Sequence, residues 1–581
     1  MRFFLFVTLT CLAGTLFAQR INHAGRILGP LLPVNQPTLF NTPEADAIVG
    51  SMQIYPRDNA WNEDISNRPL LANSAAMITA MTGHLDASRR TLRAFFEMNF
   101  VLVPDNQSWV PISFFEYPDE SDPSPYPIPP NMPIEGWPRE TGSLTLDQWQ
   151  RDINGTGGDR HSIIVKPGTG QCWETWQARK LLDNSWEAAN GALFNLNSNA
   201  LRPLGWTSGD AAGLSMFAGI LRYDEVLRGQ VEHALRIVVR RTRAQYIYPA
   251  SHYASNPFTT DPNVPAMGQR MRLRSTFNVP NTWTTQEKAV CAALKKYGAI
   301  IADNGNFFQI SVAPDQRWPS GCFDNLTSIG VGEFDIIQTT GPTEGPRSPN
   351  PPVANAGPDL NGTVGPAVTL NGSTSGGTGT VTRLWTKYSG PGNVTFANSA
   401  SAATTATFSA NGVYTLMLRA SDTVHTPGYD AVVVTIGSAP TVSGTLVLQD
   451  VSASAYPTGV LFEYRTPGTS NVVFSTNGAI GSGGAFTIPS PPSPGSYDLA
   501  VKYSHWLRRK VAVNTSAGNV TGVVLSLRNG DLDGDNEIGI SDYAQLSSNY
   551  GGTGLGDLNH DGVVDIADYA ILSSNYGLVG D

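Results

Sequence analysis

The 581-residue sequence is poor in cysteine, in charge and in long apolar runs, and each shortage narrows what the protein can be. Four cysteines, one of them inside the N-terminal apolar stretch, are too few for a disulfide scaffold. Charged residues make up 15% of the chain, Lys and Arg form no basic run, and the net charge is -10. Without clustered cations to neutralise phosphates, a nucleic-acid partner is excluded, and uncharged substrates fit better. Apart from Phe3 to Phe17, no run approaches the ~20 apolar residues that a membrane-spanning helix needs, so no span is expected. That one run follows Met1-Arg2 and ends at a cleavage point after Ala18, the layout of a secretory signal over residues 1–18. The protein is therefore expected to be secreted, extracellular or attached to the cell surface. Export would leave Cys172, Cys291 and Cys322, of which the neighbours Cys291 and Cys322 are the expected disulfide pair.

What the sequence has in abundance is turn chemistry, with 58 Gly and 41 Pro. Many turns and short strands imply a β-rich chain, and this length exceeds what one core supports, so several domains are expected. Composition marks the boundaries. Residues 19–339 are rich in Trp, His and mixed charge, and form the candidate catalytic domain. The stretch 340–352 is Pro/Gly linker, and two Thr/Ser/Val/Gly-rich stretches follow at 353–437 and 441–528. Alternation in Tyr414 to Ala420 and Asp430 to Ile436 predicts strands of small antiparallel sandwiches. The fold class is thus multidomain and mainly β: a jelly-roll-like N-terminal sandwich with a few helices, two immunoglobulin-like sandwiches, and a small helical module at 529–581.

The first small sandwich carries Ala354-Asn-Ala-Gly-Pro-Asp359, Val368-Thr-Leu-Asn-Gly372, Leu384-Trp-Thr386 and Gly412-Val-Tyr-Thr-Leu416 followed by Ala420-Ser-Asp422. On these residues it resembles the polycystic-kidney-disease (PKD) type of immunoglobulin-like domain, a resemblance that implies a spacer. In the second, Trp506 beside Tyr503 and His505 reads as a core residue at a strand end rather than a sugar platform.

The last module repeats one pattern, Asp531-Leu-Asp-Gly-Asp-Asn-Glu-Ile-Gly-Ile-Ser-Asp542 and Asp557-Leu-Asn-His-Asp-Gly-Val-Val-Asp-Ile-Ala-Asp568. Oxygen-bearing side chains recur at loop positions one, three, five and twelve: Asp531, Asp533, Asp535 and Asp542, then Asp557, Asn559, Asp561 and Asp568. A Ca²⁺ ion takes such oxygens together with a position-seven carbonyl, here Glu537 and Val563, and needs a sharp turn at position six, here Asn536 and Gly562. Each loop runs into the helix Asp-Tyr-Ala-x-Leu-Ser-Ser-Asn-Tyr-Gly. Loop plus single helix, twice, with Asp at position twelve, resembles the dockerin of cellulosomal enzymes. That resemblance implies two Ca²⁺ ions and a cohesin-type partner.

The N-terminal domain resembles only uncharacterised secreted bacterial proteins, so its chemistry must come from its residues. Helical periodicity is predicted at Thr285 to Ile301 and, more briefly, at Ser74 to Gly83; alternation at His161 to Val165, Cys172 to Trp176 and Ala234 to Arg240 predicts an antiparallel sheet. Glycoside hydrolysis needs an acid and a second carboxylate. The expected pair is Glu174, flanked by Trp173 and Trp176, with Asp210 or Asp159; Asp224 is a further candidate, and N-capping competes as a role for Asp210. A second constellation is His161, His233 and His252 with Asp159 and Tyr253, which in a polysaccharide lyase would work with Arg160, Arg236 or Arg270. The sequence therefore points to a secreted polysaccharide hydrolase, with a lyase and a non-catalytic glycan-binding or adhesive protein as the alternatives.

Overall fold

Short β-branched and aromatic runs bounded by Gly and Pro become strands throughout, and the chain is mainly β with few helices. The structure is a computed structural model describing residues 19–254, 259–437, 440–452, 456–491 and 495–581. The expected signal segment lies outside the described residues. Among them, no helix is long and apolar enough to cross a membrane.

Two sheets dominate the N-terminal domain. One has five strands in the order Thr38–Leu39, Val101–Leu102, Ser162–Lys166, Gln171–Trp176 and Asn190–Asn195; the other has six, in the order Phe334–Ile336, Arg270–Leu273, Ala299–Asn304, Leu235–Val239, Gln309–Val312 and Arg93–Phe96. Their apolar residues fuse into one core that includes Ile163, Cys172, Phe217 and Ile237. The layered β architecture is the expected one, but it is not a purely antiparallel jelly roll: Leu235–Val239 runs parallel to Ala299–Asn304, and Gln309–Val312 parallel to Arg93–Phe96. A parallel pair needs a crossover, and helix Thr285–Lys296 lies in the connection that precedes Ala299–Asn304.

That helix starts where Thr284 and Glu287 form a reciprocal capping box, and stops five residues short of the predicted end. Gly298 turns the chain at φ 70, where a Cβ would stand 2.4 Å from the Met271 carbonyl oxygen, so the apolar residues after it continue as strand. Helix Ser74–Gly83 forms as predicted. Cys172, Cys291 and Cys322 are all free and buried, which corrects the expected disulfide. Cys291 sits in the core on helix Thr285–Lys296 while Cys322 follows a turn beside a groove, so closeness in sequence does not pair them.

The PKD-like segment pairs a four-stranded sheet, Leu360–Gly362, Gly428–Ile436, Gly412–Ser421 and Thr382–Ser389, with Val368–Asn371, Ala403–Phe408 and Val394–Phe396. Trp385 fills its centre and donates to Ala402 O at 2.9 Å. The preceding linker is tied down by Arg57 to Pro352 O and Arg347 to the Tyr248 hydroxyl. The next sandwich has sheets of three and four strands, ending in Val520–Leu527. Its Trp506 is fully buried and donates to Gln449 O, as the core reading predicted. Helices Ile540–Ser548 and Ile566–Asn575 then share a core with Leu507 of that sandwich, so the last two modules pack as one body.

Candidate functional site

Because side chains alternate along a strand, one face of the six-stranded sheet collects Phe95 and Glu97, Gln309 and Ser311, and Arg236 and Val238 from three neighbouring strands. Leu235 and Ile237 point the other way, into the core. Over the first face lies a cleft of about 250 Å³, closed on its sides by Glu135, Asp159, His161, Asp303 and Phe307.

Arg236 anchors the floor and is 1% exposed. Its guanidinium grips Asp210 twice, through Nε and Nη2 at 2.9 Å each, and also donates to Asp303 Oδ2 at 3.1 Å and Ser311 Oγ at 2.8 Å. Glu97 Oε1 lies 3.7 Å from Nη1 and accepts from Ser311 Oγ at 2.7 Å. One guanidinium thus stands between two carboxylates that remain reachable, Glu97 and Asp303, with side chains 17% and 24% exposed. Burial pushes Glu97 up to about 7 and Asp303 up to about 6, in each case against the pull of Arg236. Beside them His161 shares a proton with Glu135, Nδ1 to Oε2 at 2.8 Å. Burial alone would lower that imidazole, but the Glu135 carboxylate overrides it and holds His161 at about 9, an imidazolium at neutral pH.

The sequence candidates are thereby redistributed. His161 and Asp159 line the cleft, and Asp159 accepts from Trp176 Nε1 at 3.2 Å. Glu174 does not line it. It is fully buried and accepts from Ser215 Oγ, Met216 N and Phe217 N at 2.7, 2.8 and 3.0 Å, so it fastens the start of the turn Met216–Gly219. Asp210 is likewise inaccessible and acts as the counter-ion of Arg236 rather than as a helix cap. Asp224 is buried between Arg222 and Arg228. The three histidines do not converge: His233 pairs with Glu225, and His252 binds the Ala211 carbonyl and stacks on Tyr253. Arg160 and Arg270 are held by the carbonyls of Ala178 and Tyr297 respectively, and Arg270 also by Glu63.

The calcium repeats form a second candidate site. Ligand oxygens of Asp531, Asp533 and Asp535 lie within 4.8 Å of one another, a grouping that could hold a cation, and Asp531 also meets the Lys502 ammonium. The backbone turns as such a loop requires, with Asn536 at φ 71 and Gly562 at φ 99. In the second loop Asp557 accepts from Gly562 N and Asn559 donates to Asp561, side by side in the same order. Asp542 accepts from the Leu532, Asp533 and Gly539 amides, and Asp568 from those of Leu558, Asn559 and Asp565, so position twelve closes each loop. The donor set fits Ca²⁺.

Residues 356–436 match a family model for the PKD domain. No curated protein matches the chain. Among solved structures, a type II cohesin–X-dockerin complex from Acetivibrio cellulolyticus is similar at 21% identity, covering 24% of this chain and 97% of that one, with a TM-score of 0.20. The PKD domain of the KIAA 1837 protein is 30% identical over 15% of this chain and 89% of its own, at a TM-score of 0.12. A putative alpha-galactosidase from Bacteroides fragilis is 18% identical over 17% of this chain and 20% of its own, at 0.13. These likenesses assign no activity.

Proposed function

We propose that the protein is an exported polysaccharide hydrolase in which Glu97 and Asp303 are the paired carboxylates. The observation that supports it best is the pair itself: two reachable acids on either side of Arg236, one held near 7 and the other near 6. Glu97, the more readily protonated, is suited to donate a proton to a departing glycosidic oxygen. Asp303, more fully ionised at neutral pH and steadied by Arg236, is suited to act as base or nucleophile. Phe95, half-buried at the cleft, offers an aromatic surface against which a sugar can lie. The lyase alternative fares worse, because an imidazolium at His161 has no lone pair with which to take a proton.

Residues 529–581 are proposed to fold around two Ca²⁺ ions, held by Asp531, Asp533, Asp535 and the Glu537 carbonyl, and by Asp557, Asn559, Asp561 and the Val563 carbonyl, with Asp542 and Asp568 closing the loops. Bound there, the ion supplies the countercharge that lets the loops close. The repeats support a cohesin-type partner for this module, and the PKD-like sandwich a spacer between it and the cleft.

The test is to incubate the calcium-loaded full chain with a panel of neutral and acidic polysaccharides and analyse the ends produced. New reducing ends without ultraviolet absorbance support hydrolysis. Unsaturated ends would establish a lyase instead, and binding without products an adhesive protein.

A further inference from the structure

A second depression of about 690 Å³ runs along the edge strand Arg93–Phe96 and shares Phe95 with the cleft. Its character is the reverse of the rest of the molecule. On a chain of net charge -10, this groove presents Arg93 and Arg139, and Asp324 is the one carboxylate among its described lining residues. Both cations are held over rings. The Arg139 guanidinium stands 4.1 Å from the Phe96 ring centroid, and that of Arg93 lies 5.3 Å from Phe307, with Arg89 4.9 Å from the same ring. Arg139 has no ion-pair partner among the described residues and is exposed. Arg93 donates through Nη2 to Ser88 O, while its buried Nε has no partner.

Arg139, exposed and without an ion pair among the described residues, and Arg93, whose guanidinium meets Ser88 O and a ring rather than a carboxylate, offer positive charge to planar or tetrahedral anions. They line a groove that adjoins the site carrying Glu97 and Asp303 at Phe95. We infer that the groove along Arg93–Phe96 binds the acidic sugars of an anionic polysaccharide, Arg93 and Arg139 each receiving a carboxylate or sulfate while the adjoining cleft takes the scissile bond. The inference rests on the hydrolase reading of that cleft, and it departs from the uncharged substrate that bulk composition favours. Net charge describes the far field, which salt screens within about 8 Å, whereas a bound sugar meets the local arginines.

The experiment is calorimetric titration of the calcium-loaded full chain with oligogalacturonate, with a sulfated oligosaccharide and with a neutral cello-oligosaccharide of equal length. Either acidic ligand should bind about tenfold or more tightly than the neutral one, and Arg93→Ala and Arg139→Ala should each weaken that binding by about tenfold, with Arg139→Lys between. Which acidic ligand binds better tells carboxylate from sulfate as the natural group, and either preference sustains the inference. Unchanged melting temperatures show that the variants fold. Neutral oligomers bound as tightly as acidic ones, or arginine variants that bind like the parent, overturn it. So does equal affinity for single-stranded DNA, which would mark a patch indifferent to the polyanion. Assaying the parent chain for product beside the titration separates the two readings: arginine-dependent binding with no product from any polymer by the parent would refute the hydrolase and leave the groove standing, and Glu97→Gln should bind as the parent does.

Discussion

The acidic C-terminal loops and the cleft both gather carboxylates, but they do so over very different spans of chain. Each loop draws its oxygens from twelve consecutive residues, Asp531 to Asp542 and Asp557 to Asp568. The cleft draws Glu97, Glu135, Asp210 and Asp303 from strands and turns spread over two hundred positions, and balances them with the protein cations Arg236 and His161. On the proposed reading the loops, whose one side-chain cation among the described residues is Lys502 on Asp531, draw the rest of their countercharge from a bound ion, whereas the cleft is neutralised by the protein's own cations when it folds. The difference teaches that removal of metal and removal of a charged side chain should fail in different places.

The largest effect should come from chelation. With EDTA the region from Gly530 to Tyr576 should lose protease protection entirely while residues 19–339 keep theirs, and Asp531→Ala with Asp557→Ala should reproduce this in the presence of Ca²⁺. Because Leu507 and Lys502 of the preceding sandwich touch that module, protease sites near Lys502 should open next. Persistence of protection in chelator would break the contrast. Next in size is Glu97→Gln, which keeps shape and removes the titrating proton. Turnover on whichever polymer the panel identifies should fall about 10³-fold with the melting temperature nearly unchanged, whereas wild-type turnover would remove Glu97 from the chemistry.

The same contrast explains what could be read from the sequence. The loops were legible because their geometry is local: spacing alone names Asp531, Asp533 and Asp535, and the structure brings those three together. The strands of the PKD-like segment and the buried Trp506 were legible too, since period-two patterning and aromatic burial act over a few residues. In the cleft, His161, Asp159 and Arg236 were singled out, but Glu97, Glu135 and Asp303 were not. Their importance arises from strand order, since the edge strand Arg93–Phe96 follows Gln309–Val312 in the sheet though it precedes it by two hundred residues. One local signal was available: Glu97 and Asp303 each end an apolar strand segment, Phe95-Phe96 and Ala299 to Ala302. A carboxylate among tryptophans suits a sugar site and a buried cap equally well in sequence, and it is the Ser215 and Met216 contacts of Glu174 that give it a structural role.

Removing structural carboxylates should be smaller in effect than removing the working one from the chemistry, and should act on stability. Asp210→Ala leaves the buried Arg236 with a weaker set of partners and should destabilise the N-terminal domain by about 3 kcal/mol in denaturant unfolding. Glu174→Gln turns one accepting oxygen into an N–H₂, which then faces either the Met216 amide or the Phe217 amide, donor against donor, at about 1–3 kcal/mol. Glu174→Gln should retain wild-type turnover per folded molecule, whereas Asp210→Ala, which loosens Arg236 beside Asp303, should lower it. A folded Glu174→Gln protein without activity would restore Glu174 as an essential carboxylate.

The smallest effect is a slope in pH, and its sign follows from the His161–Glu135 pair. His161 is raised from 6.5 to about 9 in the folded protein, so folding favours the imidazolium. The stability this supplies is complete below pH about 6.5 and disappears as pH rises through about 9, a loss of up to about 3 kcal/mol for an interaction that is almost wholly buried. Glu97 and Asp303 also lose stability with rising pH, but they titrate at about 7 and about 6, so their part is over before the His161 part is half run. The buried Cys172, Cys291 and Cys322 thiols, all pushed up by burial, begin to cost stability only as the unfolded thiols ionise near pH 9, at the upper edge of this window. Denaturant unfolding of the full chain between pH 7 and pH 9, followed by tryptophan fluorescence, should therefore show a falling stability that His161→Asn flattens. In this one respect the cleft would behave as the loops are proposed to, depending on a cation that can be withdrawn, here by deprotonation rather than chelation. An unaltered slope in His161→Asn would show that the Glu135 contact contributes no net stability, and would leave Arg236 as the sole cation that the acids of the cleft depend on.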